Sequence, residues 1–520
     1  MLSAASAFGF VDQAIVVVYL GFIVWLGARY VRRQSDTAEY LLGGRQMPLW
    51  AVTVSVIAAE VSAATFLGLP ALAYGDDLAY IVISIGFVLG RLILALYFLG
   101  VYRRLELFTV YGFLEQRFGP ATKNAAAAVF LLGRLLASGV RLFIPTIAIQ
   151  TITGLGLVES VLIVGLLGLV YTFLGGIRGV IWTEVVQAFT FVGGGIALIV
   201  FVVFKTEGGL NAAIDACTEA DKFHIFVTTG SPWNEPYHVV TALIGATVLT
   251  LASHGTDQDM CQRMLTCKTS LASRLSVVYS GLIGVPVAII FLGVGLALYA
   301  FVTINGTIPE DTPAGEVLPL FINTHATTGV PGLMLAALAA AALSTHASSI
   351  ASMASTTIVD FYRPYVHPNA SEAHYVRASR AVSVFWGLCL MGVALGAARI
   401  HASGAGIIAM ALGAMTLVYG PLLGVFLLGI FTPYGKNGTN LAGMAVGFVV
   451  VLIIATKNAI LEQTHLVDTA VLEAHRAANE ALVGWERVYA FSLAWPWWIV
   501  LGTLLTIGVG LTGGRTRPVT

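Results

Sequence analysis

Residues Ala336–Tyr365 read AALAAAALSTHASSIASMASTTIVDFYRPY. This is an apolar helix with a band of hydroxyls in its middle and no Asp, Glu, Lys or Arg before Asp360. Ser344, Thr345, Ser348 and Ser352 share one helical face, and Ala341 sits a turn before them. Lipid offers nothing to such a surface. Two readings are open. A hard cation that must bind and then leave suits uncharged oxygen ligands, which hold it without trapping it. Alternatively, the hydroxyls are packing residues that bond across to a neighbour or back to their own turn.

The rest of the chain agrees with a membrane setting. It has 520 residues, 58% hydrophobic and 10% charged, with mean hydropathy +0.87. That excludes an ordinary soluble domain. A span takes roughly 20 apolar residues, and about thirteen such runs are present: 10–28, 49–73, 80–102, 124–153, 157–174, 180–204, 237–253, 274–302, 331–358, 376–398, 404–431, 440–455 and 491–511. A single all-α polytopic membrane domain over 1–520 is expected, with the first run retained as a helix rather than cleaved as a signal peptide.

Basic residues alternate between loops. Arg29, Arg32, Arg33 and Arg45 follow the first span, and Arg103, Arg104, Arg117 and Lys123 the third. Arg178, Arg263, Lys268, Arg274, Arg363, Lys436, Arg515 and Arg517 fall on the same side. Opposite loops carry Asp76, Asp77, Glu159, Glu310, Asp311 and Glu316, with Arg399 an exception. The positive-inside rule then puts the N-terminus outside and the C-terminus in the cytoplasm. Lys+Arg and Asp+Glu balance at 27 each, and nucleic acid is not expected as a partner. The four cysteines show no metal-ligand spacing, and only Cys217 falls in a predicted external loop.

The second and seventh spans look interrupted. IAAEVSAATFLGLP sets Glu60, Ser62 and Thr65 mid-membrane with Gly68 and Pro70 beyond; LTLASHGTDQDMCQR brings Ser253, His254, Asp257 and Gln258 against an apolar segment. Two polar, Gly-marked spans five apart suggest corresponding positions in two repeats, whose broken helices expose backbone groups for an ion and a solute. Asp257 onward also fits a plain cytoplasmic helix end. Intramembrane charges each cost ~2.5–3.5 kcal/mol on insertion scales, so Glu60, Glu184, Arg91, Arg134 and Arg141 need roles. Arg134 and Arg141 are seven apart, hence on one face. Arg141 would fork onto a substrate carboxylate, pair with an internal acid, or snorkel.

Several motifs together resemble the sodium:solute symporter family. YTFLGGIRGVIWTEVVQ (171–187) is similar to its short-loop-and-helix signature, and GTDQDMCQR (255–263) to its seventh-span motif. AEVSAATFLGLPALAY and the hydroxyl helix follow in the expected order. The resemblance covers roughly 49–431. It implies a five-plus-five inverted-repeat core of the leucine-transporter type: an extra N-terminal helix at 10–28, repeats at 49–204 and 237–431, and C-terminal helices at 440–511. It implies a sodium-coupled symporter in the plasma membrane (a bacterial inner membrane) that imports a small polar organic solute by alternating access, without enzymatic chemistry. Its sodium site would use carbonyls of Ala58, Val61 and Ala341 and hydroxyls of Ser344 and Thr345. A second sodium site would use Ser344, residue 347, Ser348 and residue 184; here 347 is Ala, and 184 is Glu where Asp is usual, so one sodium is expected. The solute wall would comprise Glu60, Ser62, Thr65, Arg141, Thr250, Ser253 and His254. The lack of aromatics near Ser253 and His254 argues against a glucose-type solute. Glu60 would pair with an Arg, bind a hydroxyl-rich or amine-bearing solute, or take part in proton coupling. A proton-coupled transporter on the same fold is the main alternative, ahead of a membrane sensor or a channel.

Overall fold

The computed structural model describes residues 8–30, 36–309, 311–401, 407–463 and 493–516. Arg32, Arg33, Glu310, Arg517, and the starts of the spans expected from 404 and 491, lie outside the described residues. Nineteen α-helices are described: α1 Phe10–Ala28, α2 Thr37–Leu42, α3 Leu49–Glu60, α4 Ala63–Gly75, α5 Tyr80–Tyr97, α6 Leu99–Arg104, α7 Tyr111–Phe118, α8 Pro120–Thr153, α9 Leu157–Lys205, α10 Gly209–Glu219, α11 Val239–Gly255, α12 Gln258–Leu265, α13 Ser270–Asn305, α14 Ala314–His325, α15 Val330–Thr356, α16 Glu372–His401, α17 Ile407–Phe431, α18 Asn437–Gln463 and α19 Trp495–Leu511. Strand pairing among the described residues is confined to three isolated bridges. Helices suit lipid because each satisfies its backbone groups within its own segment.

Two pairs are single spans with a sharp bend: α3 with α4, at 62°, and α11 with α12, at 64°. The first break falls at Val61–Ser62, where Val61 is extended (φ −73°, ψ 110°). It precedes Gly68 and Pro70, and Pro70 lies inside α4. The 49-residue α9 is long enough, at ~1.5 Å per residue, to cross twice. It turns at Gly176 (φ 54°, ψ −164°), which a side chain would strain, and a Cβ there would stand 2.8 Å from the Tyr40 carbonyl oxygen. Counting each bent pair once and α9 twice, with α1, α5, α8, α13 and α15–α19, gives thirteen passes.

Burial separates centre from periphery. In α15 94% of the most apolar window is buried, against 17% in α1. The hydroxyl helix thus stands in the middle of the bundle, packed chiefly against α9 and α8, while α1 flanks it. One contact ties them together. Asp12 of α1, fully buried, accepts the Gly329 and Gly332 N–H groups (3.0 and 2.8 Å) at the start of α15. A carboxylate at a helix N-terminus satisfies otherwise orphaned donors and meets the positive end of the dipole.

Removing it leaves those donors bare in an apolar setting, at a cost of ~1–3 kcal/mol. Asp12→Ala is therefore expected to lower the detergent-solubilised melting temperature more than Asp12→Asn, which keeps an acceptor. Equal melting for Asp12→Ala and parent would show that α1 does not anchor α15.

Candidate solute and ion site

The break in the second span sets up the site. Ser62 N–H, which a continuous helix would give to Ala58, lies instead 3.4 Å from Thr65 Oγ1. The Ala58 carbonyl is met from across the bundle by Ser344 Oγ, which donates at 2.9 Å. One residue on, Thr345 Oγ1 donates to Ala341 O at 3.3 Å. Ala58, Val61, Ala341, Ser344 and Thr345 are all buried. Ser344 thus ties α15 to the end of α3 through the Ala58 carbonyl, while the neighbouring Thr345 bonds back to its own helix, and none of these residues carries a charge.

The remaining hydroxyls of α15 turn to other work. Ser348 and Ser349 both donate to Thr345 O (3.0 and 2.8 Å), and Ser352 to Ser349 O (3.0 Å). Ser349 also meets Ser138 Oγ at 2.7 Å. His346 lies 3.1 Å from Gly165 O. These are the back-bonds and cross-helix bonds of packing residues. At the second cation site, which the departures at 347 and 184 argued against, Glu184 is committed elsewhere: it forks with Arg263 (2.6 and 3.1 Å) and accepts from Ser55. Ser348 faces Asp259 instead, at 3.4 Å, and Ala347 brings no side-chain oxygen.

Beside the break lies a cavity of ≈ 290 Å³, near the lower end of ordinary ligand pockets. Of the expected solute-wall residues, Glu60, Ser62, Thr65, Arg141, Ser253 and His254 line it, and so does Val61. Thr250 does not. It is 1% exposed on the α5 side of α11, where a Cβ on Gly90 would stand 2.8 Å from its own. Aromatic lining comes from places the motifs did not indicate: Tyr80, Phe87, Tyr237, Tyr419 and Trp495. Leu72, Tyr80, Tyr237 and Trp495 sit at or near helix ends on one face, and the cavity runs toward that face.

The other side is closed by charge. Arg134 pairs with Asp257 and, at 3.1 Å, with Asp259. Arg263 joins Asp259 (2.8 Å) to Glu184, and Tyr419 donates to Asp257. All five charged groups are buried, so each must be paired to be tolerated. This decides the role of Arg134, and it shows that Asp257 begins a second helical piece rather than a frayed end. The same motif mends the break above it. Tyr102 and Tyr111 donate to the Gly255 and Thr256 carbonyls (2.6 and 3.1 Å). Gln258 bridges Val110 N and Phe108 O, both at 3.0 Å, and Gln262 donates to Leu41 O at 2.6 Å.

Residues 40–447 match the sodium:solute symporter family. The chain belongs to that family. It is 30% identical over 451 residues to the sodium/sialic acid symporter SiaT of Proteus mirabilis, covering 86% of this chain and 89% of that one. It is 27% identical to the human sodium-coupled monocarboxylate transporter 1, over 93% and 84% of the two chains. Among solved structures, a substrate-bound, outward-open Na⁺-coupled sialic acid symporter superposes with TM-score 0.85 at 25% identity, covering 99% of this chain and 100% of that one. Mhp1, a nucleobase-cation-symport-1 family transporter, shares the fold at TM-score 0.52 and 14% identity, over 92% and 94% of the chains. The protein is thus an integral membrane, sodium-coupled solute symporter with the five-plus-five helical core and flanking helices that the motifs implied.

Arg263→Gln would leave Glu184 and Asp259 short of their partner, and breaking a buried pair typically costs 3–5 kcal/mol. The closed side should loosen. Cys261, buried on α12, is expected to react several-fold faster with a membrane-permeant maleimide in this variant than in the parent. Unchanged labelling would show that the charge cluster does not hold that side shut.

Proposed function

We propose that this symporter couples one sodium ion to the import of a carboxylate-bearing organic solute. The observation that carries the solute reading is Arg141. Arg91, Arg134 and Arg263 each have a carboxylate partner. Arg141 lines the cavity with the Met415 sulfur 3.0 Å from its Nη2, and among the described residues no carboxylate lies within ion-pair distance of it. A guanidinium left in that position suits a planar, bidentate carboxylate guest. The named solutes of the relatives agree, since sialic acids and monocarboxylates are both carboxylates.

For sodium, the reading rests on Ala58, Val61, Ala341, Ser344 and Thr345. Hard oxygen ligands without net charge bind a monovalent cation and still release it. Ser344 and Thr345 already lie against carbonyl oxygens of the two elements that a bound cation would join. Occupancy would then pin α15 to the broken span, complete the cavity wall, and link ion binding to solute binding. One charge falling through 100 mV supplies ~2.3 kcal/mol. The two repeats are taken as 49–204 and 237–431, moving against each other around the breaks. The loop charges favour a cell-membrane protein with its N-terminus outside, and the cavity then faces outward.

Uptake into proteoliposomes tests this directly. Replacing sodium by choline should abolish uptake of N-acetylneuraminate or lactate, and unaltered uptake at fixed pH would favour proton coupling instead. Thr345→Ala should raise the half-saturating sodium concentration about tenfold, equivalent to ~1.4 kcal/mol, while Ser352→Ala leaves it near the parent value. Equal effects would mean the hydroxyl face is packing. Arg141→Lys, which keeps the charge and loses the fork, should cut carboxylate uptake strongly.

A further inference from the structure

One cluster in the cavity is used neither by the sodium reading nor by Arg141. Arg91 is 1% exposed, with Nη2 on Glu60 Oε2 and 3.3 Å from His254 Nε2. Its Nη1 lies 3.4 Å from Ser280 Oγ. Gly281 makes room for it: a Cβ there would stand 2.8 Å from Arg91 Cδ. A guanidinium has donors only. Nε2 of His254 therefore presents its lone pair, and the proton of the neutral ring sits on Nδ1. Nδ1 is 2.9 Å from Ser253 Oγ, so that oxygen accepts. The Ser253 O–H is then left to donate into the cavity that Ser253 lines. Glu60 behaves oppositely. It spends one oxygen on Arg91 and keeps the other on a side chain 28% exposed to the cavity, where an ionised carboxylate can only accept.

We propose that Arg91 is a positioning residue that sets the hydrogen-bond polarity of the solute cavity, making Glu60 an obligatory acceptor and, through His254, Ser253 an obligatory donor. The solute class this selects offers a hydroxyl or N–H to Glu60 and an oxygen acceptor to Ser253. It is a hydroxylated carboxylate rather than a plain alkyl one. A guest lacking those groups strips water from both side chains and leaves them unpaired, which is the strongest form of rejection a pocket has. The inference rests on reading this cavity as the solute site and is separable from the role of Arg141.

Two measurements on the full-length protein in nanodiscs test it. With ¹⁵N-histidine labelling and His254→Asn to locate the signal, His254 should show a pyrrole-type Nδ1 and a pyridine-type Nε2. The Glu60→Gln/Arg91→Gln double variant, which removes both charges together, should shift that balance. The reverse tautomer or an imidazolium in the parent overturns the proposal. Sodium-dependent thermal stabilisation by N-acetylneuraminate, butyrate and galactose reads the solute side. N-acetylneuraminate should act at a concentration about tenfold or more below butyrate, and Glu60→Gln and Ser253→Ala should each narrow that gap. Butyrate matching N-acetylneuraminate sinks the polarity proposal and leaves Arg141 standing. Galactose matching N-acetylneuraminate sinks the carboxylate reading and leaves the polarity proposal standing. Should none of the three stabilise the protein, the tautomer spectrum decides alone.

Discussion

A backbone break inside a bilayer must have its freed groups satisfied by something other than water. At Val61–Ser62 that constraint organises the molecule. The Ala58 carbonyl, released where the helix stops, is met by Ser344 across the bundle, so the broken span and the hydroxyl helix have to stay together. The second break obeys the same rule with different means: two tyrosine hydroxyls take the Gly255 and Thr256 carbonyls. One break is repaired by weak, exchangeable hydroxyl contacts beside a cavity, the other by fixed phenols on the closed side. On the proposed reading the first is where a cation substitutes for a hydrogen bond, and the second is a clamp.

The buried charges divide along the same line. Glu184, Arg263, Asp259, Arg134 and Asp257 form one continuous cluster on the closed side, where each charge is tolerable only because its neighbours are in place. Moving α12 away from α9 would separate Arg263 from Glu184, so the closed state is held by contacts whose loss is costly in isolation. Under the proposed reading, occupation of the cavity and of the ion site offsets that loss, and this is the linkage that alternating access needs. Glu60 and Arg91 stand apart from that cluster, in the cavity wall.

Much of this was legible in the residues. Thirteen passes, the two interrupted spans and the hydroxyl face all follow from hydropathy and spacing, because the bilayer allows so few alternatives. Motif resemblance added the family, which the comparison over residues 40–447 bears out. What sequence reasoning could not do was choose partners across the bundle. Arg134 and Arg141 share a helical face and look alike, yet one meets two aspartates and the other a methionine sulfur. Thr250 sits in the same motif as Ser253, but it packs against Gly90 of α5 instead of facing the cavity. The first break falls at Val61–Ser62, inside the polar stretch that the residues marked, and Ser62 and Thr65 lie at the start of the piece that follows. The cavity aromatics Tyr80, Tyr419 and Trp495 come from distant segments with no local signature.

The central claim is that the break in the second span and the hydroxyls of α15 together hold sodium. Equilibrium binding of ²²Na⁺ to purified protein, with no solute added, tests it most directly. Saturable binding of one ion per chain is expected in the parent and in Ser352→Ala, with binding weakened severely in Ser344→Ala. Parent-like sodium binding in Ser344→Ala would contradict it.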